Sequence, residues 1–184
     1  VLKSLKYYCA GLVELKLGFQ KTFVLSEEAV YAFERLFARS KARLKLLDLD
    51  FSRSIIHNGG ISTFAEDLGQ VILKHLSKLE SLRLNFDDTN CSTRVVHVLL
   101  HGLGSKLIDL RSLEISLESY RASWDDLEDD LYSVATSYFK VLKLNFGEFK
   151  GLSPHYFYIL QDEIIRKCPK LEGFYLRFLN EKIL

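Results

Sequence analysis

The chain has no Met, one Trp, two Pro and three Cys in 184 residues. Scarce Pro, with 48% hydrophobic and 27% charged residues, fits one soluble domain spanning residues 1–184. Charge of one sign is also missing: the formal net charge is +1, which gives no global pull toward nucleic acid or an anionic membrane. No apolar run approaches the ~20 residues that cross a bilayer, and no signal peptide is visible. Cys9, Cys91 and Cys168 are odd in number and far apart, so they read as reduced thiols of an intracellular, cytoplasmic protein. On that reading Asn90-Cys91-Ser92 is a chance match to a glycosylation acceptor. Without Met, and with Val at position 1, the sequence is expected to be a processed product or a piece of a longer chain. Catalytic constellations are missing too: no defensible Ser/His/Asp order, no Cys paired with a His motif, no phosphate loop and no zinc spacing. The expectation is a non-enzyme with no cofactor, no metal and no small-molecule substrate.

What is present is a repeat. The pattern L-x-x-L-x-L-x-F occurs at 12–19, 44–51, 79–86, 110–117, 139–146 and 171–178, with Ile115 in the sixth and Leu117 in the eighth position of the fourth copy, Phe139 in the first position of the fifth and Phe174 in the fourth position of the sixth. Successive starts recur at a period of roughly thirty residues, the mark of a repeat array. Alternation at positions four, six and eight puts Leu15, Leu17 and Phe19 on one side of a strand and Glu14, Lys16 and Gly18 on the other. The longer segments between strands have helical periodicity, and such crossovers are what parallel pairing requires.

These six L-x-x-L-x-L cores resemble the leucine-rich repeat family, and periods near thirty resemble its ribonuclease-inhibitor-like subclass. The resemblance implies an α/β solenoid of about six repeats, with a curved parallel sheet on the concave side and helices on the convex side. The family's usual Asn or Cys, three residues after the sixth-position Leu, is replaced here by Gln20, Ser52, Asp87, Glu118, Gly147 and Leu179. Asn85 and Asn145 sit two places earlier.

Helices are expected from Ser26, with Val30, Phe33, Leu36 and Phe37 inward; from the Thr63–Glu66 capping box, with Phe64, Leu68, Val71, Ile72 and Leu76 inward; and from Ser92 or Thr93, ended by Gly102 and Gly104. A fourth is capped by Ser123 and a fifth by Ser153-Pro154, the latter with Phe157, Leu160, Ile164 and Ile165 inward. Arg35, Arg39, Lys41 and Arg43 form a basic flank on the first, read as a solvated helix end rather than an anion site. His57–Gly60 reads as a turn, and His97 with His101 as a polar flank rather than a metal pair.

Outward strand positions can be aligned across repeats. The middle row, Lys16, Asp48, Arg83, Glu114, Lys143 and Tyr175, alternates in sign through Lys143 and can pair laterally. Such a mixed face argues against nucleic-acid backbone binding and is compatible with protein binding. Candidate partner contacts are Tyr120, Trp124, Asp125, Asp126, Asp129 and Asp130, where five acids including Glu128 exceed what capping needs, together with Tyr175 and Arg177. The functional expectation is a non-catalytic protein–protein interaction scaffold, a structural subunit of a large intracellular assembly such as a cytoskeletal or ciliary complex, with further repeats or a partner covering its ends. The alternative is a regulator of an enzyme (an inhibitor, a GTPase activator or a ubiquitin-ligase substrate adaptor) binding through the acidic 120–130 region.

Overall fold

The computed structural model describes residues 11–21, 27–54, 61–89, 94–118, 122–123, 139–150, 158, 162, 164–166 and 168–179. Strands β1 (Glu14–Gly18), β2 (Leu46–Asp50), β3 (Ser81–Asn85) and β4 (Ser112–Leu117) alternate with helices α1 (Glu27–Ser40), α2 (Ile61–His75) and α3 (Arg94–Lys106), and strands β5 (Ala122–Ser123), β6 (Val141–Lys150) and β7 (Gly173–Leu179) follow. Six strands run parallel in the order β1-β2-β3-β4-β6-β7, and the two-residue β5 pairs with Phe149 and Lys150 at the far end of β6. The fold is an α/β solenoid of the leucine-rich-repeat type.

Register follows the sequence repeat residue for residue. Leu15, Leu47, Leu82, Leu113, Leu142 and Phe174 pair in one row, and Leu17, Leu49, Leu84, Ile115, Leu144 and Leu176 in another. A one-residue slip would turn every one of these side chains outward, so burial pins the register. Backbone bonds repeat as well: the amides of Lys45, Glu80, Arg111, Lys140 and Glu172 each donate to the carbonyl of the equivalent residue one repeat earlier, at 2.7–2.9 Å. First-position residues Leu44, Leu79 and Leu110 are buried at the helix-to-strand turns, and Phe139 is buried just before β6. Cys168 fills the place that Leu76 and Leu107 occupy in earlier repeats: each accepts, through its carbonyl, the amide of the Leu three residues on. Its thiol side chain is part of the core.

Eighth-position phenylalanines form a stacked spine beneath the strand ends. Phe19 lies on Phe51 with centroids 5.3 Å apart, and Phe51 on Phe86 at 5.2 Å, with ring planes 10° and 15° from parallel. Phe33 of α1 and Phe64 of α2 meet Phe51 edge-on. Beyond the spine the chain turns through a left-handed residue, Lys21, Arg53 or Asp88, with φ of 57°, 59° and 54°. These positions recur with the repeat, and a side chain there costs ~1–2 kcal/mol of backbone strain. Lys21→Gly is therefore expected to raise unfolding stability by about 0.5–1 kcal/mol, less than the strain relieved because Gly loses more entropy on folding. A urea titration midpoint that falls would contradict this.

The inward residues expected on α1 and α2 are buried, as are Leu99 and Leu100 on α3. Three expectations need correction. Helix α2 starts at Ile61, so Thr63 is inside its first turn rather than capping it. Helix α3 runs through Gly102 and Gly104 to Lys106. There Gly102 serves packing rather than termination: a Cβ at this position would lie 2.3 Å from Cδ1 of Leu73 on α2. Ile165 is 51% exposed while its neighbour Ile164 is buried, since consecutive helical residues point about 100° apart. Ser123 lies in β5, and the helix it is expected to cap falls outside the described residues. Ser26, the 57–60 turn, Ser92, Thr93, Ser153, Pro154, Phe157 and Leu160 lie outside the described residues.

Candidate functional site

The helices cover one face of the sheet and leave the other to solvent and to any partner. The middle row of that open face has the register expected: Lys16, Asp48, Arg83, Glu114, Lys143, Tyr175. Arg83 sits at its centre, with Asp48 at 3.8 Å on one side and Glu114 at 3.2 Å on the other. Lys143 reaches Glu114 at 3.7 Å, and its ammonium lies 5.4 Å from the centroid of the Tyr175 ring. The first step of the ladder differs: Lys16 pairs at 3.9 Å with Glu14 of its own strand, not with Asp48. These groups are a quarter to three-fifths exposed, so each pair contributes at most ~1 kcal/mol. Arg83→Glu would exchange two attractions for two repulsions and is expected to cost about 1–2 kcal/mol at low salt. The loss should shrink in 1 M NaCl, where screening acts over ~3 Å; a salt-independent loss would rule out an electrostatic cause.

The next row carries the turn chemistry. Asp50 Oδ1 accepts the amide of Ser52 at 2.9 Å, and Asn85 Oδ1 accepts that of Asp87 at 2.9 Å. The side-chain bond to turn backbone thus comes from the residue two places before the position the repeat family uses. Asp87, at that position, bridges to the next repeat by accepting from Ser116 Oγ and from the Glu118 amide, both at 2.7 Å. Asn145 Nδ2 donates to Ser116 Oγ at 2.9 Å and extends the chain of bonds. Burial works to raise the Asp50 carboxyl, but the Ser52 amide and hydroxyl, the Gln20 amide and the Arg83 charge outweigh it and hold it below the usual carboxylate range. Because the folded value is depressed, this stabilisation is present above the unfolded carboxylate range and disappears as pH falls through the depressed value.

Of the expected contacts, Tyr175 and Arg177 stand on β7 at one end of this face. Tyr175 is 60% exposed, and Arg177 lies 3.6 Å from Glu118. Tyr120, Trp124, Asp125, Asp126, Asp129 and Asp130 lie outside the described residues. On the opposite side the three helices enclose a groove of about 900 Å³, lined by Tyr31, Glu34, Gln70, Lys74, His97 and His101 among others, which strand periodicity does not foreshadow. Glu34 bridges α1 to α2 through Lys74 at 2.6 Å, and that hydrogen bond, with a second to His75, lowers its carboxyl pKa. His97 and His101 meet edge to face at 4.4 Å. Among the described residues no group of three metal-ligating side chains converges, and no helix is long and apolar enough to cross a membrane.

Solved structures share this architecture. Leiomodin-1 actin-binding site 2 is similar to 92% of this chain over 86% of its own length, with a TM-score of 0.54 at 12% identity. The C-terminal domain of Caenorhabditis elegans tropomodulin is similar to 90% of the chain over 90% of its own, with a TM-score of 0.50 at 12% identity. No protein-family model and no curated protein sequence matches the chain. At so low an identity the likeness to the leiomodin and tropomodulin domains is one of fold, spanning nearly the whole of each.

Proposed function

We propose that this chain is a non-catalytic, protein-binding module of the cytoskeleton, and that actin is the partner to test first. The observation that carries this reading is the match across about nine-tenths of the chain to a domain described as an actin-binding site. The open face is compatible with it, being mixed in charge and ending in an exposed Tyr and Arg. Its self-paired ladder raises no single-sign field that would favour nucleic acid. Cosedimentation with filamentous actin, and pull-down of monomeric actin, test the proposal. Saturable binding to either form is expected; absence of both would overturn actin as the partner. The second reading, regulation of an enzyme, rests on the five acids around Trp124. It predicts that reversing Asp125, Asp126, Asp129 and Asp130 abolishes partner binding, whereas actin binding through the open face would survive.

A further inference from the structure

The segments that lead into the strands line up along one rim of the sheet, and this rim is basic. Residues 41–45, 76–80, 107–111, 139–140 and 168–172 hold seven cations (Lys41, Arg43, Lys45, Lys78, Arg111, Lys140, Lys170) and three carboxylates (Glu80, Asp109, Glu172). The rim therefore carries a formal +4 in a chain of net +1. All three carboxylates are occupied: Glu80 by Lys45 at 2.7 Å, Asp109 by Lys78 at 3.1 Å and Glu172 by Lys140 at 2.6 Å. Lys41, Arg43 and Arg111 are left without a carboxylate among the described residues, and all three are exposed. The helix ends that abut the rim contribute about half a negative charge each, too little to cancel the excess.

Geometry focuses the excess. A shallow pocket of about 260 Å³ opens between the turns, lined by Arg43, Lys45, Lys78, Glu80, Asp109 and Arg111. The two guanidiniums without a carboxylate belong to the second and fourth repeats, with the paired Lys78 and Glu80 of the third between them. Two strand spacings separate those repeats by roughly 10 Å, which matches about three residues of extended chain. A guanidinium fork suits a carboxylate in two-point contact.

We propose that this rim is a docking site for an acidic polypeptide segment of a protein partner, held by Arg43 and Arg111. The inference deepens the reading of the chain as a protein-binding module, and depends on that reading for the class of occupant. The basic flank at Arg43, which sequence alone assigns to a solvated helix end, thereby becomes one half of a binding pair. Its other half, Arg111, lies two repeats further along the chain.

The test is fluorescence anisotropy of labelled deca-glutamate titrated with the full chain. Arg43→Glu/Arg111→Glu should weaken binding at least tenfold, and Arg43→Gln/Arg111→Gln by an intermediate factor. Lys21→Glu/Arg53→Glu, with the same change of charge elsewhere, should weaken it less than twofold. Circular dichroism melting checks that each variant is folded; the neutral pair keeps the test alive should the reversed pair unfold. Equal weakening by the control pair overturns the proposal, because the effect would then be net charge alone. Binding to phosphatidylserine vesicles that depends on Arg43 and Arg111, with none to deca-glutamate, also overturns it in favour of a membrane surface. A wild-type chain that pellets with actin yet ignores deca-glutamate would sink the rim and leave the actin reading standing.

Discussion

Phe51→Ala is expected to lower unfolding stability by about 3–5 kcal/mol, a large share of what a domain of this size possesses. Phe51 has no exposed surface and stands where the spine meets both helices. It stacks on Phe19 and Phe86 and takes the edges of Phe33 and Phe64, so truncation removes buried area and four ring contacts together. The neighbours cannot close the gap, because the backbones of β2 and β3 are locked by the amide of Phe51 donating to Asn85 at 2.8 Å. The repeat makes the damage local at first: β1 and β2 should loosen before β4 and β6, since contacts in an array run only between neighbours. Urea unfolding gives the magnitude and amide hydrogen exchange gives the order. A loss well below the usual cost of truncating a buried Phe, under about 1.5 kcal/mol, would mean that the spine is not a principal element of the core.

Gly102→Ala reverses the usual helix rule. In an exposed helix interior, Ala is favoured over Gly by ~1 kcal/mol. Here the new methyl would sit 2.3 and 2.4 Å from the two Cδ atoms of Leu73 and 2.9 Å from its Cγ, forcing that nearly buried side chain to another rotamer or α3 away from α2. Overpacking of this kind costs ~1–3 kcal/mol, so a net loss of about 1–2 kcal/mol is expected. The companion variant Leu73→Ala opens a cavity and costs ~2 kcal/mol or more. Combined, each relieves the other, and the double variant should be more stable than the sum of the two losses predicts by at least about 1 kcal/mol. Strict additivity would show that the two residues do not compete for the same space. Gly69 on α2, where a Cβ would meet Val98 at 3.1 Å, makes the same close approach in milder form.

The two variants also mark where sequence reasoning reaches and where it stops. Phe51 is legible because strand periodicity is short and repeated six times, so the eighth position and its side of the sheet follow from counting. The charge ladder is legible for the same reason: once the repeats align, residues 48, 83, 114 and 143 must be neighbours. Gly102 is not. A Gly near the end of an apolar pattern has the same local signature whether it stops a helix or admits a neighbour, and only the position of Leu73 on the preceding helix decides between them. Lys16 escapes the register argument because Glu14 and Asp48 are both within reach of its flexible stem, a choice made by rotamers. The candidate contacts divide likewise: Tyr175 and Arg177 fall on the open face by strand alternation, whereas the acidic 120–130 segment has no strand repeat to locate it.

The sequence by itself determined the parallel sheet, its order of repeats, its register and the strand residues of the core, because period-two alternation repeated every thirty or so residues admits one low-energy stacking. Tertiary structure alone decided which cations are neutralised and which are left over, and which glycine admits a neighbouring helix rather than stopping its own. Both depend on distances between side chains far apart in the chain, and those distances are set by how neighbouring repeats pack.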